Sequence, residues 1–185
     1  MNGGHLLHLP SRIFLGGLLL LSWGCVHRIH VSPTPPAVSP TAIAQSLQVI
    51  VPFLALEGAD HRQGITLLEW PAQDLRTAAI DYIHARQTFA SVGDKPADLT
   101  LTIKAWLIMR SQDNYYYRLH LESALGPAEK PPIKFYLAEK ETMGSNVRWV
   151  TASDQTPITR AVQAALDDLL SQIEADHLLY RNGPR

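Results

Sequence analysis

The chain has 185 residues, 46% hydrophobic and 18% charged, with a formal net charge of -1 and a pI near 6.7. That composition is ordinary for a globular protein and excludes the strongly basic field that nucleic-acid binding requires. The single Cys excludes an internal disulfide, so a folded domain has to be held by packing. A mature domain of about 135 residues is large enough to bury roughly two thirds of its unfolded surface in one core.

The chain begins MNGGHLLHLPSRIFLGGLLLLSWGC. Arg12 gives a positive flank, and Ile13 to Leu21 is an apolar run of nine residues. Such a run is far too short to cross a bilayer, which takes ~20 residues, but it suits the apolar region of a signal peptide. Gly24 and Cys25 then resemble the lipobox of bacterial lipoproteins, in which a small residue precedes the cysteine that becomes acylated. Ser22 and Trp23 stand where that pattern usually has a branched apolar and a small residue. The resemblance implies a leader over residues 1–24, cut before Cys25, and a lipid on Cys25. It also implies more than one acyl chain, enough for stable attachment without a transmembrane helix. Val26, where an Asp would favour inner-membrane retention, implies the inner leaflet of the outer membrane, facing the periplasm.

Residues 25–47 carry Pro33, Pro35, Pro36 and Pro40 among Ser, Thr and Ala. This composition predicts an extended tether, reaching at most about 65 Å at ~3.1 Å per residue. A globular domain is expected over 48–180, with a short tail over 181–185.

Within that domain, Val49 to Leu56 predicts a first strand, placed at an edge or strand end by Pro52. Pro71 opens a helix whose apolar stripe is Leu75, Ala79, Ile80 and Ile83, with Arg76, Asp81 and Arg86 off it. The helix ends near Gln87 and a short strand follows over 88–92. The clearest signal is DLTLTIKAWLIMR. Leu99, Leu101, Ile103, Ala105, Leu107 and Met109 alternate with polar or bulky residues, which predicts a long strand with one buried face. YYYRLHLESAL repeats the alternation after a four-residue turn and completes a hairpin. IKFYLAEK predicts a third strand with Ile133, Phe135 and Leu137 inward, and Arg148 to Thr151 a short last one. Thr156 and Pro157 suit the start of a closing helix striped by Ile158, Val162, Leu166, Leu169, Leu170 and Ile173, with Asp167, Asp168, Gln172 and Glu174 mostly on its wet side. The order β-α-β-β-β-β-α predicts an α+β two-layer sandwich, a mixed and mostly antiparallel sheet with two helices on one face.

Chemistry-bearing motifs are absent from the sequence. His61, His84, His120 and His177 show no zinc-ligand spacing, and no metal site or cofactor is expected. There is no nucleophile elbow and no phosphate-binding glycine loop. Adjacent Asp167 and Asp168 diverge by about 100° on a helix and cannot serve as a paired acid and base. An enzyme is therefore not expected. A hydrolase would need a pocket joining His84 or His120 to a carboxylate and a hydroxyl. The polar face of the hairpin is unusual in carrying Trp106, Ile108, Tyr116, Arg118 and His120, with Tyr136 placed beside them. Aromatic residues with Arg are the composition of interface hot spots, so this face is the candidate interaction surface.

The Gly24–Cys25 signal, the Pro-rich stretch, the opening QVIVPF strand, ADLTLTIKAW and the closing AVQAALDDLLSQIE together resemble small envelope lipoproteins. They are similar to the auxiliary lipoproteins of ABC-type transport systems and to TolB amino-terminal-like and curli-secretion-like fold relatives, over roughly residues 48–178. The resemblance implies no catalytic residues. It implies a membrane-anchored accessory or binding component of an envelope transport or assembly system. The alternative is a self-associating, ring-forming lipoprotein of a secretion or polysaccharide-export system. Either way the expected partners are a membrane, through the lipid, and an envelope protein or further copies of the chain.

Overall fold

The structure, a computed structural model, describes residues 26–58, 67–111, 114–144 and 152–180. Its elements are β1 (Val26–Arg28), β2 (Ile43–Glu57), β3 (Leu67–Glu69), α1 (Ala72–Arg86), β4 (Phe89–Gly93), β5 (Leu99–Ser111), β6 (Tyr115–Pro127), β7 (Lys134–Gly144) and α2 (Ala152–Ala175). A short 3-10 turn, His177–Leu179, follows α2. The main sheet has the order β4-β2-β5-β6-β7, and β1 pairs with β3 in a separate two-stranded ribbon. β2 runs parallel to β4 and β5, and β5, β6 and β7 form an antiparallel meander. Helix α1 lies over β2 and β4, and α2 over β6 and β7. This is the expected α+β sandwich, with a mixed sheet and its two helices.

The long alternating strands behave as their period requires. Leu101, Ile103, Ala105 and Leu107 of β5 are buried, as are Tyr117, Leu119 and Leu121 of β6. The pairing Leu101↔Leu125, Ile103↔Ser123, Ala105↔Leu121 and Leu107↔Leu119 puts both sets on the helix side. From α1 they meet Leu75, Ala79, Tyr82 and Ile83, and from α2 Ile158, Val162, Leu166, Leu169 and Ile173. Helix α1 stops at Gln87, whose φ of 61° is left-handed and whose N–H donates to the carbonyls of Ile83 and His84.

Four features depart from expectation. First, β2 is a strand of 15 residues lying inside the sheet, between β4 and β5. Pro52 is accommodated because the register with β5 shifts between Ile50 and Phe53, and because the pairing with β4 ends at Gln48. The missing N–H thus falls at a bulge on the stretch of β2 beyond β4. Second, the stretch expected as a tether is packed. Ile29, Val31, Ile43 and Leu47 belong to the core, and Val26 is already paired with Leu67. The Ser39 N–H donates to Arg86 O at 2.7 Å, tying this stretch to the end of α1. The prolines lower helix and strand propensity between the apolar residues but leave those side chains free to fill slots along the domain. Third, α2 begins ahead of Thr156, and Pro157 lies inside its second turn. Fourth, Glu174 is buried and pairs with a buried Arg86, both read from sequence as lying off the apolar stripes. The leader, Cys25, His61, the strand expected at 148–151 and the tail lie outside the described residues.

Gly126 marks the corner between β6 and β7. A Cβ there would meet Pro132 Cα at 2.7 Å and Ile133 N at 2.8 Å, both main-chain atoms. Gly126→Ala is expected to destabilise by about 1–3 kcal/mol, because the connection has to be displaced to admit the methyl. A urea titration reads this as a lowered midpoint at unchanged slope.

Candidate interaction face

The helices cover one face of the sheet, and period-two geometry turns the other residues of every strand to the opposite face. Trp106 sits near its centre, with its ring 5.2 Å from Phe53 of β2 and 5.3 Å from His120 of β6 in an edge-on arrangement. These contacts follow from the register, in which Ala55, Trp106, His120 and Glu139 lie in one row across four strands. A ladder of charge runs beside the aromatics. His120 Nδ1 lies 3.2 Å from Glu139, and its Nε2 lies 3.5 Å from Glu122. Arg118 Nε donates to Glu141 at 3.2 Å and Nη1 lies 3.7 Å from Glu139. These pairs are half-exposed, where ion pairs contribute at most about 1 kcal/mol each, so they orient side chains more than they stabilise the fold.

Towards the other end of the same face the surface becomes apolar. Phe135 is 73% exposed and Leu137 57%. They wall a groove of about 310 Å³ whose floor includes Thr102 and Ala124. A second groove of about 290 Å³ shares Thr102 and Ala124 and continues past Ile50, Thr100 and Gly126 to Pro132. Small side chains down the middle of the sheet make this trough, and larger ones on β2 and β7 form its sides.

Five of the six residues expected on this face are there together: Trp106, Ile108, Tyr116, Arg118 and His120, each half-buried. Tyr136 is not. The pairing Ser123↔Tyr136 and Leu121↔Ala138 places it on the helix side, where it is buried and its hydroxyl lies 2.5 Å from that of Tyr180. Burial, and then the contact with Tyr180, pushes the Tyr136 hydroxyl far above its ordinary pKa, so it stays protonated as a hydrogen-bonding group. The parity of β7 is therefore the reverse of the expected one, with Phe135 and Leu137 facing out. The signal lay further along the strand. In KFYLAEKETMG, Glu139 and Glu141 share the parity of Phe135, and a strand read through to Gly144 assigns that side to water.

Among the described residues no group of three His, Cys, Asp or Glu side chains converges as a metal site, and no helix is long and apolar enough to cross a membrane. His84 is exposed, and the His177 ring lies 2.9 Å from the Glu174 carbonyl.

No family model matches the sequence, and no curated protein is significantly similar to it. Solved structures do match. A Xanthomonas campestris protein of the family DUF330 superposes with a TM-score of 0.55 at 15% identity, over 84% of this chain and 96% of its own. What the two share is the fold. A minor lipoprotein from Acinetobacter baumannii gives a TM-score of 0.48 at 12% identity, over 71% of this chain and 93% of its own.

Proposed function

We propose that the chain is a non-enzymatic lipoprotein of the bacterial envelope, anchored through Cys25, that serves as a binding component of a transport or assembly system. The observation that carries this reading is the open sheet face, where Trp106, Phe53, Phe135 and Leu137 present apolar area beside a charge ladder. Exposed apolar area of this kind, rimmed by charge, marks an interaction surface. The leader ends at Gly24, the acylated Cys25 supplies the anchor, and Val26 favours the inner leaflet of the outer membrane, facing the periplasm. The likeness to a DUF330 protein supports the domain type.

Photo-crosslinking in cells tests the face. A crosslinker at Phe135 or Trp106 is expected to trap one envelope protein reproducibly, and a crosslinker at His84 on the exposed side of α1 is not. Recovery of an uncrosslinked monomer from all three sites removes the proposal. Strand β7 also favours a second reading. It is an edge strand of 11 residues with Phe135, Leu137 and Met143 exposed, a surface that suits another copy of the chain. Sedimentation of the mature domain separates the readings, since a strict monomer at high concentration excludes self-association.

A further inference from the structure

We infer that one end of this domain rests directly on the phospholipid headgroups, with the strands standing up from the membrane. The inference rests on anchoring at Cys25 and concerns what that anchor holds.

The packing of the residues after Cys25 carries the argument. Val26, His27 and Arg28 pair with Leu67, Leu68 and Glu69. Ile29 donates its N–H to Glu69 O at 2.8 Å and is 1% exposed. The His30 carbonyl accepts from Gln155 Nε2 at 2.9 Å, and the His30 ring lies 3.0 Å from Asp74. The domain therefore begins at the residue that follows the anchored one, and successive Cα atoms are only ~3.8 Å apart. A free stretch of 22 residues could have lifted the domain by up to about 65 Å. Here a single peptide bond joins the anchored cysteine to the first paired residue.

The sheet and helices show which end this is. Pro71 and Asp74 at the start of α1, and Asp154 and Gln155 in the first turns of α2, lie at the end that carries β1. The end of β7 lies there too, since Thr142 Oγ1 donates to the Pro157 carbonyl at 2.7 Å. Strand β5 spans 13 residues, so the domain rises about 40 Å from this end. Exposed Leu178 and Leu179, beyond the other end of α2, stand farthest from the lipid. Among the described residues this end carries Arg28, Arg110, Tyr116 and Met143, groups suited to the headgroup layer, together with Glu57, Glu69 and Glu141. The acyl chains supply the attachment, so the resting geometry is expected to be insensitive to salt.

Fluorescence quenching tests this with the full processed protein in vesicles of phosphatidylethanolamine and phosphatidylglycerol. A bimane label is placed singly at Glu69→Cys, Met143→Cys or Leu178→Cys, and nitroxide lipids carry the quencher in the headgroup. Labels at 69 and 143 are expected to lose about half of their emission and the label at 178 almost none, in low and high salt alike. A Gly-Ser spacer inserted after Cys25 is expected to abolish the quenching while the protein still floats with the vesicles. Flotation without quenching at 69 and 143, or with equal quenching at 178, overturns the resting geometry and leaves the anchor standing. If the unlabelled protein fails to float, anchor and geometry fall together.

Discussion

Arg86→Ala lowers the unfolding free energy by about 3–5 kcal/mol, the range for stranding a buried charge. Arg86 Nε and Nη2 donate to the two carboxylate oxygens of Glu174 at 2.8 and 3.0 Å, and Nη1 donates to Asp167 at 2.7 Å. Thr88 adds a bond to Glu174 at 2.9 Å. Removing the guanidinium leaves two carboxylates side by side on α2 with no cation between them and α1. Urea denaturation measures the loss, and a change under about 1 kcal/mol would mean that water reaches the pair as at a surface. The same cluster sets an acid limit. Burial raises the pKa of Glu174, but hydrogen bonds from Arg86, Ser39 and Thr88 and the charge of Arg86 outweigh it and hold the carboxyl below its ordinary value. Its contribution is therefore complete above the unfolded pKa of about 4.3 and is lost as pH falls through the lower folded value. Glu174→Gln should flatten that acid limb of the stability profile.

Ile29→Ala destabilises by about 2–4 kcal/mol, the cost of emptying a filled slot in a core. A residue in a solvated tether would give no measurable change. The substitution should also expose the chain around residues 30–42 to limited proteolysis before the rest of the domain unfolds. Uniform resistance in the variant would contradict the packing of this stretch.

The two predictions fall where the sequence was hardest to read. The meander was legible because β5 and β6 alternate over their whole length, so burial followed from residue type. Arg86 stands three residues after Ile83 and four after Tyr82, squarely on the buried side of α1. Its charge argued against the spacing, and its partner lies 88 residues away, beyond any local pattern. Ile29 and Val31 alternate with His30 and Ser32, but the prolines that follow dominate the composition of the segment. On the candidate face, Trp106, Arg118 and His120 were visible from the hairpin alone. Phe135 and Leu137 were assigned inward because they are apolar, and the pairing of β7 with β6 decides otherwise.

The strand order also governs how the sheet is assembled in time. β2 comes early in the chain but lies between β4 and β5, both made later and both parallel to it. Its hydrogen-bonding groups stay unsatisfied by the sheet until the chain has closed loops across α1. The β5-β6-β7 hairpins need only short turns. Local pairings form ahead of distant ones, so the meander is the natural nucleus and β2 docks onto it late. A chain that is still unfolded would thus expose one long, apolar, unpaired strand until the sheet closes, which places its aggregation hazard on β2.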